Sequence, residues 1–327
     1  MNSKVPFLLL FTFINILSAQ DDTEPQKRTF HSETKVVIDN DIFAVFRDSD
    51  RYYSYGIGLE YAFKKEKFLG LQKLFKTKKN VFYSIRLKIE GYTPSGVREF
   101  ALTPEIEDRD DFDRPFAGLL YATLGATYTF ERSFVKSEIL TGIIGPSSQV
   151  GAIQDWFHEN ITGDPIYDGW QFQLENQFIL NFKSSLLYDF NPSAKWFHIY
   201  AGGTAHLGNL YIRAAPTAGF RIGKYRSITE SSGFHNSILL PKKNSELFFK
   251  FNVETRFVAY NATIQGNIFD DKAYGVDELN NISWHLSSGL FYSLNRFSIN
   301  FIYLWSTGVL NDTENHGYGT FNVAYRF

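Results

Sequence analysis

The sequence predicts an all-β protein, a twelve-stranded antiparallel transmembrane β-barrel with one short helix in an extracellular loop. Three observations predict it. Apolar and polar residues alternate in twelve separate runs, the pattern of strands with one greasy and one polar face. The connections alternate between tight turns and long polar loops. Aromatic residues make up 17% of the 327, with 33 Phe and 19 Tyr, more than an ordinary soluble domain carries.

The first residues read as an export signal. Lys4 supplies the positive start, residues 5–17 the apolar core, and "SAQ" at 18–20 a small-residue cleavage site. The apolar run is shorter than the roughly 20 residues that a spanning helix needs. Residues 1–20 are therefore expected to be removed, leaving 21–327 as one barrel domain. A membrane anchor that is never cleaved is the other reading.

The run 246–260 shows the period most clearly. Leu247, Phe249, Phe251, Val253 and Phe257 fall on one face, and Phe248, Lys250, Asn252, Glu254 and Arg256 on the other. Runs at 282–294 and 296–305 repeat it. The others lie near 35–46, 53–63, 80–92, 117–130, 133–143, 171–189, 196–207, 211–223 and 317–327. "ER" at 131–132, "NPSA" at 191–194 and "LNR" at 294–296 are tight turns, whereas 94–115, 144–170 and 261–280 are long. Short turns at one end and long loops at the other mark an outer-membrane barrel, and an even strand number puts both termini in the periplasm. The segments 64–79 and 224–245 break this rule, being long on the periplasmic side. The chain closes on an apparent final strand with a terminal Phe327. A soluble β-sandwich or ligand-binding barrel would need shorter strands and fewer outward aromatics.

Composition excludes several functions. With 33 basic and 35 acidic residues and no long basic run, nothing points to nucleic acid. The absence of cysteine removes disulfides, thiolate chemistry and Cys-based zinc sites. There is no Gly-x-Ser-x-Gly elbow and no His-Glu-x-x-His motif.

Two places could carry chemistry. In 36–46, alternation puts Val37, Asp39, Asp41 and Phe43 on one face and Ile38, Asn40 and Ile42 on the other. Asn40 and Asp41 are poor strand formers, a cost that makes sense if they face water or a metal. A polar barrel lumen would also accept an inward Asp. Asp48, Asp50 and Ser54 follow, oxygen donors of a kind that suits calcium, without the spacing of an EF-hand. The second place is 144–170, the third extracellular loop. Gln154 and His158 stand four apart, on one face of a helix. Histidine can take a proton near neutral pH. Trp170, in the "GW" that restarts the wall, is expected in the interfacial aromatic girdle.

In order along the chain, "DNDIFAVF…DRYYSYGIGLEY", "GYTPSG", "DRPFAGLLY", "GPSSQVGAIQDWFH" and "GWQFQLENQ" resemble the lipid A 3'-O-deacylase family of outer-membrane barrels. The resemblance covers nearly the whole mature chain. It implies a calcium-dependent ester hydrolase with its site between the barrel wall and a loop helix, facing the outer leaflet of a Gram-negative outer membrane. His158 would be the general base that activates water, with Gln154 orienting water or substrate. Asp41, helped by Asn40, would hold Ca²⁺. Ser54 stands where the family has a threonine. After "PSG" the family carries a basic residue near the site; here the chain reads Val97-Arg98-Glu99, and Arg98 serves only if the register shifts by one. Lipid A or lipopolysaccharide, water and the membrane are the implied partners, and a monomer is expected. The alternatives are an outer-leaflet phospholipase of different substrate, and a barrel without catalysis that acts as a channel or structural protein.

Overall fold

The structure is a computed structural model and describes residues 30–43, 52–95, 112–270, 279–310 and 315–327. The export signal, Asp48, Asp50, Arg98 and Glu99 lie outside the described residues.

Twelve strands form one closed barrel. They are β1 (Ser32–Asn40), β2 (Tyr52–Phe63), β3 (Asn80–Thr93), β4 (Ala117–Thr129), β5 (Ser133–Ile144) and β6 (Gln177–Asp189), followed by β7 (Phe197–Gly208), β8 (Tyr211–Lys224), β9 (Ser245–Asn261), β10 (Ile282–Leu294), β11 (Phe297–Ser306) and β12 (His316–Arg326). Each is antiparallel to its chain neighbours, and β1 closes on β12. Closure leaves no sheet edge, the condition for strands to cross a bilayer. All twelve predicted runs are strands.

Alternation sorts the side chains as expected. Ile57, Leu59, Ile85, Leu87, Leu247 and Phe257 are exposed on the outer wall, where lipid replaces water. The inward positions carry charge, and much of that charge is paired. Lys35 and Arg86 both reach Glu60, while Arg86, Lys136 and Lys183 converge on Glu138. Such pairing is the condition for burying charge at modest cost.

Two predicted boundaries shift. The run 35–46 stops as a strand at Asn40, because the Asn40 Oδ1 accepts the Ile42 N–H at 2.7 Å and turns the chain into a short 3-10 helix, Asp41–Phe43. The sixth strand starts at Gln177, not at 171, because Asp168–Phe172 is another 3-10 turn.

The two long periplasmic segments have a physical account. In 64–79, Phe68, Leu71 and Phe75 pack on Tyr83, Ala126 and Tyr128, and the Tyr128 hydroxyl donates to the Leu71 carbonyl at 2.9 Å. These wall residues share the parity of exposed Ile85, so the segment covers the outside of the barrel. Residues 225–244 fold the other way, into the lumen. Ile238 and Leu239 pack on Ala62 and Phe82, and Phe234 on Phe134 and Tyr200. Buried Glu246 ties this plug down, accepting from the Ser231 hydroxyl at 2.7 Å and from the backbone N–H of Arg226 and Ser232 at 2.9 and 3.0 Å.

Candidate active site

At the loop end, the connection from β5 to β6 carries helix α1 (Val150–Phe157). Glycines seat it against the wall. Gly91 of β3 and Gly118 of β4 are cross-strand partners. A Cβ on Gly118 would come within 2.5 Å of the Ser148 Oγ and 2.8 Å of the Val150 Cβ. One on Gly91 would meet the Tyr55 ring at 2.6 Å and Val150 at 3.2 Å. Two missing side chains thus leave a trough for the start of the helix. Tyr55, Phe116, Val150, Tyr167 and Trp170 close around it as one apolar cluster, and the Tyr55 hydroxyl donates to the Val150 carbonyl at 2.6 Å. Trp156, Phe157 and Ile161 remain exposed on the far side.

Gln154 and His158 share the buried face, each about 4% exposed. The predicted helical pairing is present. His158 opens a π-helical turn, His158–Thr162, closed by Gly163 at φ 74°; such widened turns recur at functional sites. The His158 Nδ1 lies 2.7 Å from the Pro165 carbonyl oxygen. A carbonyl only accepts, so Nδ1 carries the proton and the Nε2 lone pair is left open. Tyr167 meets the imidazole edge-on at 5.0 Å. The ring is thereby held in one tautomer. Next to it, burial pushes the Asp155 carboxyl above its ordinary pKa.

Gln154 accepts the Trp170 indole N–H at 2.9 Å, which leaves its Nε2 without a protein partner. Trp170 is therefore not in the lipid-facing girdle. It is 6% exposed, packed under α1 against Gly151. Its indole N–H needs a partner when buried, and Gln154 provides one.

Ser54 reaches the same outer side of the wall by a β-bulge. Tyr53 pairs with Tyr92 and Tyr55 with Gly91, so Ser54 is the extra residue between them. Tyr53 points into the lumen, where its hydroxyl donates to Asp39 at 2.7 Å. Tyr55 points out, under the helix. The Ser54 Oγ lies 2.6 Å from the Oγ1 of Thr93, which shares the outer parity of Leu87 and Gly91.

Asn40 is on the outer face as well, in register with Val36 and Ile38 and directly across from Tyr55. Asp41 follows it, buried at the start of the 3-10 turn. Asp39 is not part of this group: it faces the lumen and pairs with Lys88 at 2.8 Å. Tyr55 is the link, lying beside Asn40 across the ladder and bonding to α1. The donor set fits a hard cation in kind, with one buried carboxylate, an amide oxygen and a hydroxyl. Among the described residues no three His, Cys, Asp or Glu side chains gather around a common point, so of these residues Asp41 alone would bring a carboxylate to a cation here.

Tyr55, Thr93, Pro165, Tyr167 and Trp170 complete the neighbourhood without having been expected there. A trace of the bulge is visible in "YYSYG", where strict alternation fails for one residue.

A family model described as outer membrane protein LpxR matches residues 6–327. Among solved structures, LpxR from Salmonella typhimurium is similar over 90% of this chain and 100% of its own, with a TM-score of 0.71 at 20% identity. The β domain of the Bordetella autotransporter BrkA covers 92% of this chain and 99% of its own at 9% identity, with a TM-score of 0.43. No curated protein matches the chain.

Proposed function

The chain belongs to the family of outer membrane protein LpxR, and from that premise we propose that it is a calcium-dependent hydrolase that removes an ester-linked acyl chain from lipid A at the outer leaflet. Its location in the outer membrane follows from the family and the barrel. The observation that carries the activity is His158: a buried imidazole with Nδ1 committed to a carbonyl and Nε2 open, on the lipid side of the wall.

In this reading a water gives its proton to the His158 Nε2 as its oxygen attacks the ester carbonyl carbon. The imidazolium then returns the proton to the departing sugar oxygen as the ester C–O bond breaks, freeing the fatty acid. The Nδ1–H bond to Pro165 keeps the ring oriented through both transfers. The Gln154 Nε2 is placed to orient water or substrate. Turned from Thr93, the Ser54 hydroxyl donates to the oxyanion. Asp41 with Asn40 would hold Ca²⁺, which when bound would polarise the carbonyl and stabilise negative charge on its oxygen. The Trp156, Phe157 and Ile161 side chains give the acyl chains an apolar approach to the site.

The test is mass spectrometry of lipid A from cells that express this protein. Wild type should remove one acyl mass. His158→Ala should reduce the rate by about 10²–10⁴-fold, the usual share of a general base, while the barrel still shows heat-dependent migration on a gel. Unchanged lipid A beside well-folded wild type would sink the assignment. Chelation with EDTA should stop the reaction reversibly, with calcium restoring it; turnover indifferent to chelator would remove the metal from the scheme.

A further inference from the structure

On the other side of the wall from α1, the lumen holds a cavity of about 430 Å³ towards the loop end, a size that takes a small solute. Four of its cations are matched by carboxylates: Lys88 by Asp39 and Glu90, Arg86 by Glu60 and Glu138, Lys183 by Glu138, and Arg256 by Glu254. Arg114 and Arg213 form no ion pair among the described residues. There Arg213 hydrogen-bonds only the His206 Nε2, at 3.4 Å, and lies 4.2 Å over the Tyr211 ring, with Glu254 near enough to act on its charge. Arg114 is 3% exposed and donates to the carbonyls of Tyr52, Pro115 and Thr263 and to the Thr263 hydroxyl, with its guanidinium 5.0 Å over the Tyr92 ring. Neutral acceptors satisfy N–H groups without cancelling charge.

The two guanidiniums are joined. The rings they cover belong to Tyr92 and Tyr211, whose hydroxyls are 3.3 Å apart. On the same cavity wall the Thr123 hydroxyl, 4% exposed, has no hydrogen-bond partner among the described residues. Two guanidiniums outside any described ion pair, a tyrosine pair and an orphaned hydroxyl therefore surround one space.

We propose that this cavity binds a small soluble solute that carries an oxyanion on a sugar-sized, hydroxyl-bearing body. Guanidinium forks match the paired oxygens of phosphate or carboxylate. Tyrosine faces and hydroxyls suit the two sides of a sugar ring. The ligand is soluble because the wall is hydrogen-bonded all the way round, so an acylated lipid cannot enter sideways. The plug of 225–244 fills the periplasmic end, so entry is from the loop end. This site lies inside the barrel, apart from His158, and does not depend on the hydrolase reading.

The experiment is isothermal calorimetry on the full chain, folded in detergent, with glucose 6-phosphate, inorganic phosphate and glucose as probes. Glucose 6-phosphate should bind saturably and at least about tenfold more tightly than phosphate, with no heat from glucose. Arg213→Gln should weaken glucose 6-phosphate by at least about tenfold, and Arg213→Lys by less. No saturable heat from either anion, glucose binding as tightly as its phosphate, or Arg213→Gln titrating as wild type would each overturn the proposal. Phosphate binding as tightly as glucose 6-phosphate would overturn the sugar part and keep the anion site. If Arg213→Gln does not fold, wild type decides: raising NaCl from about 50 to about 500 mM should weaken binding severalfold, and indifference to salt refutes a charge-driven site.

Discussion

The two ends of the barrel each carry a long segment folded back on the wall, and they differ in how far its polar groups are tied to the barrel. At the periplasmic end, most of the polar groups that the plug of 225–244 buries are tied down, although the Ser232 Oγ and the Arg221 Nη2 have no hydrogen-bond partner among the described residues. Glu246 takes three donors, Asn236 donates to the Ile228 carbonyl at 2.8 Å, and Ser237 bonds to Glu33. At the loop end, α1 and the turn after it carry Gln154 and His158, whose Nε2 atoms bond to no described residue, beside an Asp155 carboxylate oxygen that is buried without a partner. Polar groups left open cost stability unless they serve something else. In the proposed function the plug serves the stability of the barrel and the helix serves the reaction.

If that division is right, the two ends should fail differently. The largest effect is expected at the helix seat. Gly118→Val would drive a side chain into Ser148 and Val150, lifting α1 from the wall while leaving the strand ladder intact. A displacement of about 1 Å is enough to cost roughly 10²-fold in rate. Deacylation of lipid A should fall by at least that factor, with the unfolding temperature little changed. Equal activity in Gly118→Val would show that the position of the helix does not matter to the reaction.

The plug should give the reverse. Glu246→Ala strands three donors and removes the carboxylate that faces Arg221. Breaking such a buried charged group costs about 3 kcal/mol. Thermal unfolding in detergent should shift down accordingly, while deacylation well below the transition stays within about twofold. Lost activity with unchanged stability would reverse the roles assigned to the two ends.

How much of this could be read beforehand follows from the range of the forces involved. The strands were legible because period two is a local property, visible in ten residues such as Leu247 to Arg256. The Gln154–His158 pairing was legible for the same reason, since four residues make one helical turn. The bulge at Ser54 left only a trace in "YYSYG", because a single extra residue moves a side chain to the other face only once the partner strand is known. The burial of Trp170 depends on α1 above it, and the inward course of 225–244 on Ala62, Phe82 and Phe134, all distant in sequence. Neither leaves a periodic trace. The strand break at Asn40 had a local cause, the side-chain bond to Ile42, yet Asn and Asp in a strand-like run also fit an ordinary lumen position.

The smallest effect, and the sharpest on the plug alone, concerns His235. Its Nδ1 lies 3.2 Å from the Lys35 Nζ. An ammonium only donates, so the imidazole accepts and is neutral. The Lys35 charge, with enclosure by the wall second, holds the His235 pKa well below the ordinary histidine value. Below that ordinary value the unfolded chain takes up a proton that the folded chain refuses, so acid favours unfolding. The contribution of His235 is thus fully present above about pH 6.5 and is lost as pH falls from there towards the folded pKa. Asparagine tolerates the left-handed backbone at this position, φ 60°, and its side-chain oxygen can still accept from Lys35. His235→Asn should therefore flatten the fall in unfolding temperature between about pH 6.5 and about pH 4.5, with near-equal stability at pH 8. Deacylation should not change, because the proposed site lies at the other end of the barrel. A slope that survives the substitution would place the acid sensitivity of the barrel elsewhere in the lumen.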